Sequence, residues 1–390
     1  MRLHVRGMHD LHGNKLTYVQ ESTGEQDLEE ARRVALDRYD ELRLRVKAKQ
    51  PAKSITWADM YELWFKEKRE ALEAHYRAKG RTGINARAGW YEKQSERYWL
   101  PYFGKHNIED ISQKQVHGYW SWRQNYWANA SEGERKKHAN FAMNPSKKTL
   151  DMEQSSLREI FGWANANKLV ATMPIVQNPY SRKGIAPTRR ASFDKAEFDQ
   201  LVAYMARWTA GLGDNDVAEG SRVNSAHLYQ RELLRLYVLW IATTGMRTGE
   251  VLQLRHRDIA MEQTGESERV VLKITVSHQT KTGSRVVTSL PDTATLYEDL
   301  CNHTQREAAD DWLFCNLDGT ANRGFFKTLP KMLAEAGVLY NKDGAKRSAY
   351  SFRHYFAEER LAAMQTNPRA LDILSVNMGT SKQMHQLLRA

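Results

Sequence analysis

The stretch YQRELLRLYVLWIATTG, residues 229–245, is a strongly apolar helical pattern that stops at a glycine. A little further on, RVVLKITVSHQTKTGSRVVTSLP, residues 269–291, gives two β-rich runs around a Gly-containing turn. Helical patterns then continue to residue 390. Residues 191–390 must therefore mix helices with a small sheet. A helix over SFDKAEFDQLVAYMARW opens this segment, with Ser192 in the N-cap position.

The upstream pattern is different. ITWADMYELWFKEKREALEAHY, DISQKQVHGYWSWRQNYW and TLDMEQSSLREIFGWANANKLV all carry helical periodicity, so residues 54–175 read as an all-helical domain. Trp120, Trp122 and Trp127 fall within eight residues. Aromatics beside Arg and Lys can stack on nucleobases, but more often they fill the core of a small bundle. In residues 1–53, RLHVR and KLTYVQES alternate like strands, with MHDLHGN as the turn between them. DLEEARRVALDRYDELRLRVKAK follows as a helix. Asp27 and Glu30 suggest a capping box, and Leu28, Ala31, Ala35, Tyr39, Leu42 and Val46 share one face. Residues 173–191 hold three of the nine prolines and four basic residues, a linker signature centred on 176–191. The expected organisation is a strand-helix module (1–53), a helical domain (54–175), a linker (176–191) and a mixed domain (192–390). The fold class is mainly α with small β-sheets, a multidomain α+β chain.

Charge narrows the partner. Residues 54–190 carry 23 Lys and Arg against 14 Asp and Glu, whereas 191–390 carry 24 of each. Most of the net +11 therefore sits in the middle of the chain. A concentrated positive excess suits a polyanion through counterion release, or it is a solvated basic face. No apolar run approaches the ~20 residues that a membrane span needs. MRLHVRGMHD has no apolar core of a secretory signal. Cys301 and Cys315 make neither a disulfide framework nor a metal cluster, so a reducing cytoplasm is the expected compartment, with no metal or cofactor.

Basic residues sit at structural corners. In TTGMRTGEVLQLRHRDI, Arg247 follows the helix end at Gly245, and Thr248-x-Glu250 restarts a helix. A cation at such a junction can hold a phosphate. Lys281 lies in the hairpin turn, a reasonable place for a lysine that must reach a ligand. AYSFRHYFAEERL puts Arg353 and His354 at a helix start, with Tyr350 one turn earlier. His354, and His385 near the end, are the histidines closest to these signals.

These four elements in order, TTGMRTGEVLQLRHRDI, TKTG, YSFRHYFAEERL and NMGTS, resemble the tyrosine recombinases, specifically phage-type integrases. The middle segment, with YWLPYFGKHNIEDISQKQVHGYWSWR, looks like that family's core-type DNA-binding domain. The N-terminal strands and helix look like the accessory module of many such integrases. The resemblance implies site-specific DNA recombination through a 3′-phosphotyrosine, double-stranded DNA as partner, and self-assembly into dimers or tetramers on it. It also implies a C-shaped clamp of the two larger domains around the duplex.

Residue by residue, the resemblance makes Arg247 and Arg353 the clamp on the scissile phosphate. It makes Lys281 the acid for the leaving 5′ oxygen and Glu250 the support of Arg247. Tyr350 stands where most members have His, and Thr380 where others have His or Trp. Such chemistry suits these residue types: arginines neutralise the non-bridging oxygens without a metal, and a general acid protonates the departing alkoxide. The family's nucleophilic tyrosine comes about nine residues after the Thr380 position. Here that residue is Arg389, and no tyrosine follows Tyr355. Two readings stand from this: an integrase lacking its nucleophile in this chain, or a catalytically inactive relative that binds DNA and regulates recombination. A basic nucleic-acid binder of another kind would make the four-part pattern a coincidence.

Overall fold

The computed structural model describes all residues except 12, 79–84, 139–142, 171, 182–190, 214–222, 265–268, 278–283 and 381–390. The chain divides into two compact units, Met1–Ala186 and Pro187–Ala390.

In the first unit, strands β1 (Arg2–Leu3) and β2 (Val19–Gln20) pair antiparallel, with Leu3 opposite Val19. The turn between them is held by Asn14, whose backbone N–H and side-chain amide both donate to the Asp10 carboxylate at 2.8 and 2.9 Å. Helix α1 (Leu28–Lys47) lays Leu42, Tyr39 and Val46 on Val5, Met8, Val19 and Ala52 as a small separate core. Asp27 caps it by accepting from the N–H groups of Glu29 and Glu30. Leu28, expected on the inner face, is exposed, because the first turn of α1 projects beyond that small core.

The larger core of this unit belongs to α2 (Trp57–Ala78), α3 (Ala86–Gln94), α4 (Leu100–Phe103), α5 (Gln113–Asn125) and α7 (Lys147–Ala166), with the short α6 (Glu132–Lys137) between the last two. Trp57, Trp99, Trp120, Phe103 and Phe161 are fully buried in it, and Trp127 is buried as well. Each such side chain withdraws enough apolar surface to stabilise the fold by roughly 1.5–3 kcal/mol. Trp120 and Trp127 are therefore core, whereas Trp122 is half-buried against Tyr102 and Tyr126. Packing continues into the stretch read as linker: Val176 and Asn178 are buried, Arg158 donates to the Val176 carbonyl at 2.7 Å, and Asn178 donates to Asp151 at 2.8 Å.

The second unit is built around α9 (Ser225–Thr244), whose Leu233, Leu234, Leu236, Val238, Trp240 and Ile241 are buried. It packs against α8 (Lys195–Thr209), α11 (Asp292–Thr304) and α13 (Ala349–Ala363). The N-cap of α8 is Asp194, in a reciprocal box with Glu197, and not Ser192, whose carbonyl instead accepts from Arg347 at 2.7 Å. The sheet has three antiparallel strands, β3 (Ile259–Thr264), β4 (Arg269–Val276) and β5 (Arg285–Thr288), in that order. Its inward Leu272, Ile274, Val276 and Val287 join the core. The two β-rich runs of the sequence are β4 and β5; β3 carries no clear apolar alternation and was missed by pattern. Helix α12 (Thr328–Glu335) adds Leu329, Met332 and Leu333 to the core, and α14 (Ala370–Met378) sits on α13 through Leu374 and Met378. The chain is mostly helical with small antiparallel sheets. Among the described residues no helix is long and apolar enough to cross a membrane.

Candidate functional site

Two helix ends and one strand meet in the second unit. Helix α9 stops at Gly245, which adopts φ +64°, a left-handed conformation that favours glycine. A Cβ there would also lie 2.2 Å from the Phe356 ring, so the end of α9 can rest on α13 only with glycine present. Helix α14 ends the same way at Gly379, φ +61°, where a Cβ would come within 2.8 Å of the Arg285 Nε. Both ends point free carbonyls, the negative pole of each helix, into one place.

Arginines answer those carbonyls. Arg353, only 2% exposed, donates through Nη1 to the Gly245 carbonyl and through Nη2 to the Met378 carbonyl at 2.8 Å. Arg247, half-buried, donates through Nη2 to the Gly379 carbonyl and through Nη1 to Glu250 at 2.8 Å. Its backbone N–H also donates to Glu250 Oε2 at 3.1 Å, which starts the short helix α10 (Thr248–Val251) at a fixed angle. Thr380, the next residue after Gly379, is half-buried, and its N–H donates to the Ser375 carbonyl at 3.0 Å. The structure thus brings Arg247, Glu250, Arg353 and the 378–380 turn together. Tyr350 lies at the edge: its ring centroid is 5.8 Å from the Arg353 Cζ and 5.1 Å from the His354 ring. Lys281, His385 and Arg389 fall outside the described residues.

Sequence reasoning missed Arg285. It donates to both Glu250 oxygens, at 3.0 and 2.6 Å, and to the Asn377 carbonyl at 3.2 Å. Asn377 in turn bridges the edge of β5: its Oδ1 accepts from the Thr288 N–H at 2.7 Å and its Nδ2 donates to the Thr288 carbonyl at 3.2 Å. The sheet and α14 are thereby fastened together beneath the arginines. Only the basic residue just past the hairpin turn hinted at this in the sequence.

Two guanidiniums, those of Arg247 and Arg285, gather on one buried carboxylate, and a third, that of Arg353, feels its charge without bonding to it. Burial alone would push the Glu250 carboxyl up, but hydrogen bonds from Arg285 and Arg247 outweigh it and hold the group below the usual glutamate range. Burial lowers Arg353 to about 10, partly opposed by Tyr350 and Glu250 and deepened by Arg247 and Arg285. Arg353 makes no ion pair among the described residues, yet it remains a cation near neutral pH. The arrangement is a notch with more guanidinium than carboxylate charge, which suits an oxyanion such as a phosphate diester. Among the described residues no cluster of three or more His, Cys, Asp or Glu is placed to hold a metal ion. Tyr355 belongs elsewhere: it stacks on Phe198 at 4.2 Å, and burial pushes its hydroxyl up to about 12.

Residues 219–375 match the phage integrase family model. No curated protein sequence matches the chain. Solved structures are similar in fold at low identity. A XerH site-specific recombinase bound to palindromic difH substrate, a post-cleavage complex, has a TM-score of 0.54 at 15% identity, covering 94% of this chain and 87% of the other. A lambda integrase dimer bound to a COC′ core site has 0.52 at 11%, covering 100% and 93%. The Tn1549 transposon integrase in complex with circular intermediate DNA has 0.52 at 16%, covering 86% and 96%.

Proposed function

Starting from residues 219–375 as a phage-integrase-type domain, we propose that this protein acts in site-specific DNA recombination, with the Arg247–Arg353 notch as the seat of the scissile phosphate. The observation that carries the reading is the meeting of these two arginines on the neighbouring carbonyls of Met378 and Gly379, with Arg247 also held by Glu250. The notch supplies fixed cations where negative charge grows on the non-bridging oxygens as phosphorus is attacked. Lys281 is the expected proton donor to the leaving 5′ oxygen, and Glu250 and Arg285 hold Arg247 in place. Double-stranded DNA is the partner, bound mainly through phosphates by the basic excess of residues 54–190 and assembled with further copies of the chain.

Strand cleavage also needs an oxygen nucleophile to displace the 5′ oxygen and remain joined to the 3′ phosphate. In these 390 residues the position that the family resemblance gives to it is Arg389, and a protonated guanidinium has no lone pair to attack with. Tyr355 is packed into the core with a raised hydroxyl pKa. The 390-residue chain therefore binds DNA without forming a covalent link. This also favours a second reading, an inactive integrase-like protein that regulates recombination by occupying sites.

Two measurements test this. Duplex affinity should fall by orders of magnitude between about 50 and 200 mM salt, as expected for several phosphate contacts, and should fall further with Arg247→Gln. Salt-insensitive binding would overturn the phosphate reading. On a nicked duplex carrying its own attachment site, the chain should give no covalent band on a denaturing gel, and Arg389→Tyr should give one. A band from the unaltered chain, lost with Tyr350→Phe or Tyr355→Phe, would show that the nucleophile lies there instead.

A further inference from the structure

We propose that a cleft beside the arginine notch binds one unstacked nucleotide of DNA. The inference rests on the DNA-binding reading above and specifies what form of DNA the second unit takes. The cleft encloses about 780 Å³. Tyr237, Phe325 and Leu329 form its buried floor, and Trp312 and Tyr350 are half-buried walls. Phe326 stands on the rim, 82% exposed. Gly324, at φ +111°, keeps it there: a Cβ at that position would lie 2.9 Å from the Phe326 ring.

The lining is polarised in charge. Arg323, Lys346 and Arg347 line the cleft, and no Asp or Glu does, although residues 191–390 contain 24 of each sign. Arg347 is buried and spends its donors on Glu197 and on the carbonyls of Ser192, Val338 and Tyr340. Arg323 and Lys346 are exposed and, with Gln253, make no side-chain hydrogen bond among the described residues. Cations without carboxylates complement a phosphate, the aromatic faces complement a base, and the Gln253 amide can read a base edge. An apolar protein segment would use the floor but not the cations.

Position connects the cleft to the notch. Thr248 and Gly249, which line it, directly follow Arg247 in sequence, and Tyr350 is shared with the edge of the arginine site. A strand with one phosphate on the arginines thus carries its neighbouring nucleotide to the cleft. A base still stacked in a duplex offers only its edges, so contact with the recessed aromatic faces requires it to leave the stack.

The test uses the full chain and fluorescence anisotropy on two duplexes of the same sequence, one fully paired and one with a single unpaired adenine. The unaltered chain should prefer the second by about tenfold, the scale of one base stacked on an aromatic ring. Phe326→Ala should bring the ratio of the two affinities close to one, and Arg323→Gln should lower it by a smaller factor. A 2-aminopurine at the unpaired position should be quenched on binding, and less so with Phe326→Ala. A ratio near one in the unaltered chain, or a ratio that Phe326→Ala leaves unchanged, overturns the cleft proposal while leaving the arginine reading intact. Failure to bind the paired duplex at all overturns the DNA-binding reading itself, and the cleft proposal falls with it.

Discussion

Two arginines buried almost completely, one in each unit, are treated oppositely. In the helical unit Arg123, 3% exposed, faces Glu153, 0% exposed, with Nη2 to Oε1 at 2.9 Å. Tyr119 donates to the same carboxylate at 2.7 Å, and the guanidinium lies 3.5 Å from the centre of the Tyr98 ring. Arg353, 2% exposed, is given helix-end carbonyls and no carboxylate of its own among the described residues. The charge of Arg123 is neutralised by an opposite charge; that of Arg353 is held by dipoles, which orient it and leave its charge unspent, as the proposed phosphate site requires.

The largest expected effect separates these two roles. Arg123→Met strands a buried carboxylate and should cost about 3–5 kcal/mol in urea unfolding, with much of that recovered in Arg123→Met/Glu153→Leu. Arg353→Met leaves only carbonyls short of donors, about 1–3 kcal/mol, but should weaken DNA binding far more than Arg123→Met weakens it per unit of stability lost. If Arg353→Met proves the more destabilising and leaves DNA affinity unchanged, Arg353 is structural and the comparison fails.

Glycines sharpen the same contrast. Gly245→Ala combines a strained left-handed backbone with a clash on Phe356 and should cost about 2–4 kcal/mol. Gly162 lies within α7 with open space where a Cβ would stand, so Gly162→Ala should stabilise by up to about 1 kcal/mol. Thermal or urea unfolding of the two variants checks the signs.

The smallest effect is one of pH. Glu250 has a depressed folded pKa, so its contribution is present above the ordinary glutamate value of 4.5 and is lost as pH falls through the folded value. Burial, outweighing Arg123 and Tyr119, raises Glu153 instead; the folded state then holds its proton longer, and stability falls as pH rises from 4.5 towards the raised value. The cost of Glu250→Gln should therefore grow as pH rises through the acid side of 4.5 and then level off, while the cost of Glu153→Gln shrinks as pH rises above 4.5. Parallel trends in the two variants would remove the electrostatic distinction between the sites.

Much of this was legible along the chain. Local rules carried the helices of the bundle, the cap at Asp27, the hairpin strands and the glycine stop at Gly245, because each depends on residues within a turn or two. Arg247, Glu250 and Arg353 could be singled out because helix junctions mark themselves with glycine and capping residues. Ser192 was misread because a competing Asp-x-x-Glu box lay two residues on, and β3 because its side chains do not alternate.

What the sequence determined by itself was which residue types stood at which corners and where the positive charge was concentrated. Only the tertiary structure decided that Arg353 reaches back 108 residues to Gly245, that Arg285 reaches 35 back to Glu250 and 92 forward to Asn377, and that Tyr355 is spent on packing against Phe198. Those contacts join segments whose distance along the chain says nothing of their distance in space. Their energies appear only after the core of α9, α13 and the sheet has closed and removed water from between them.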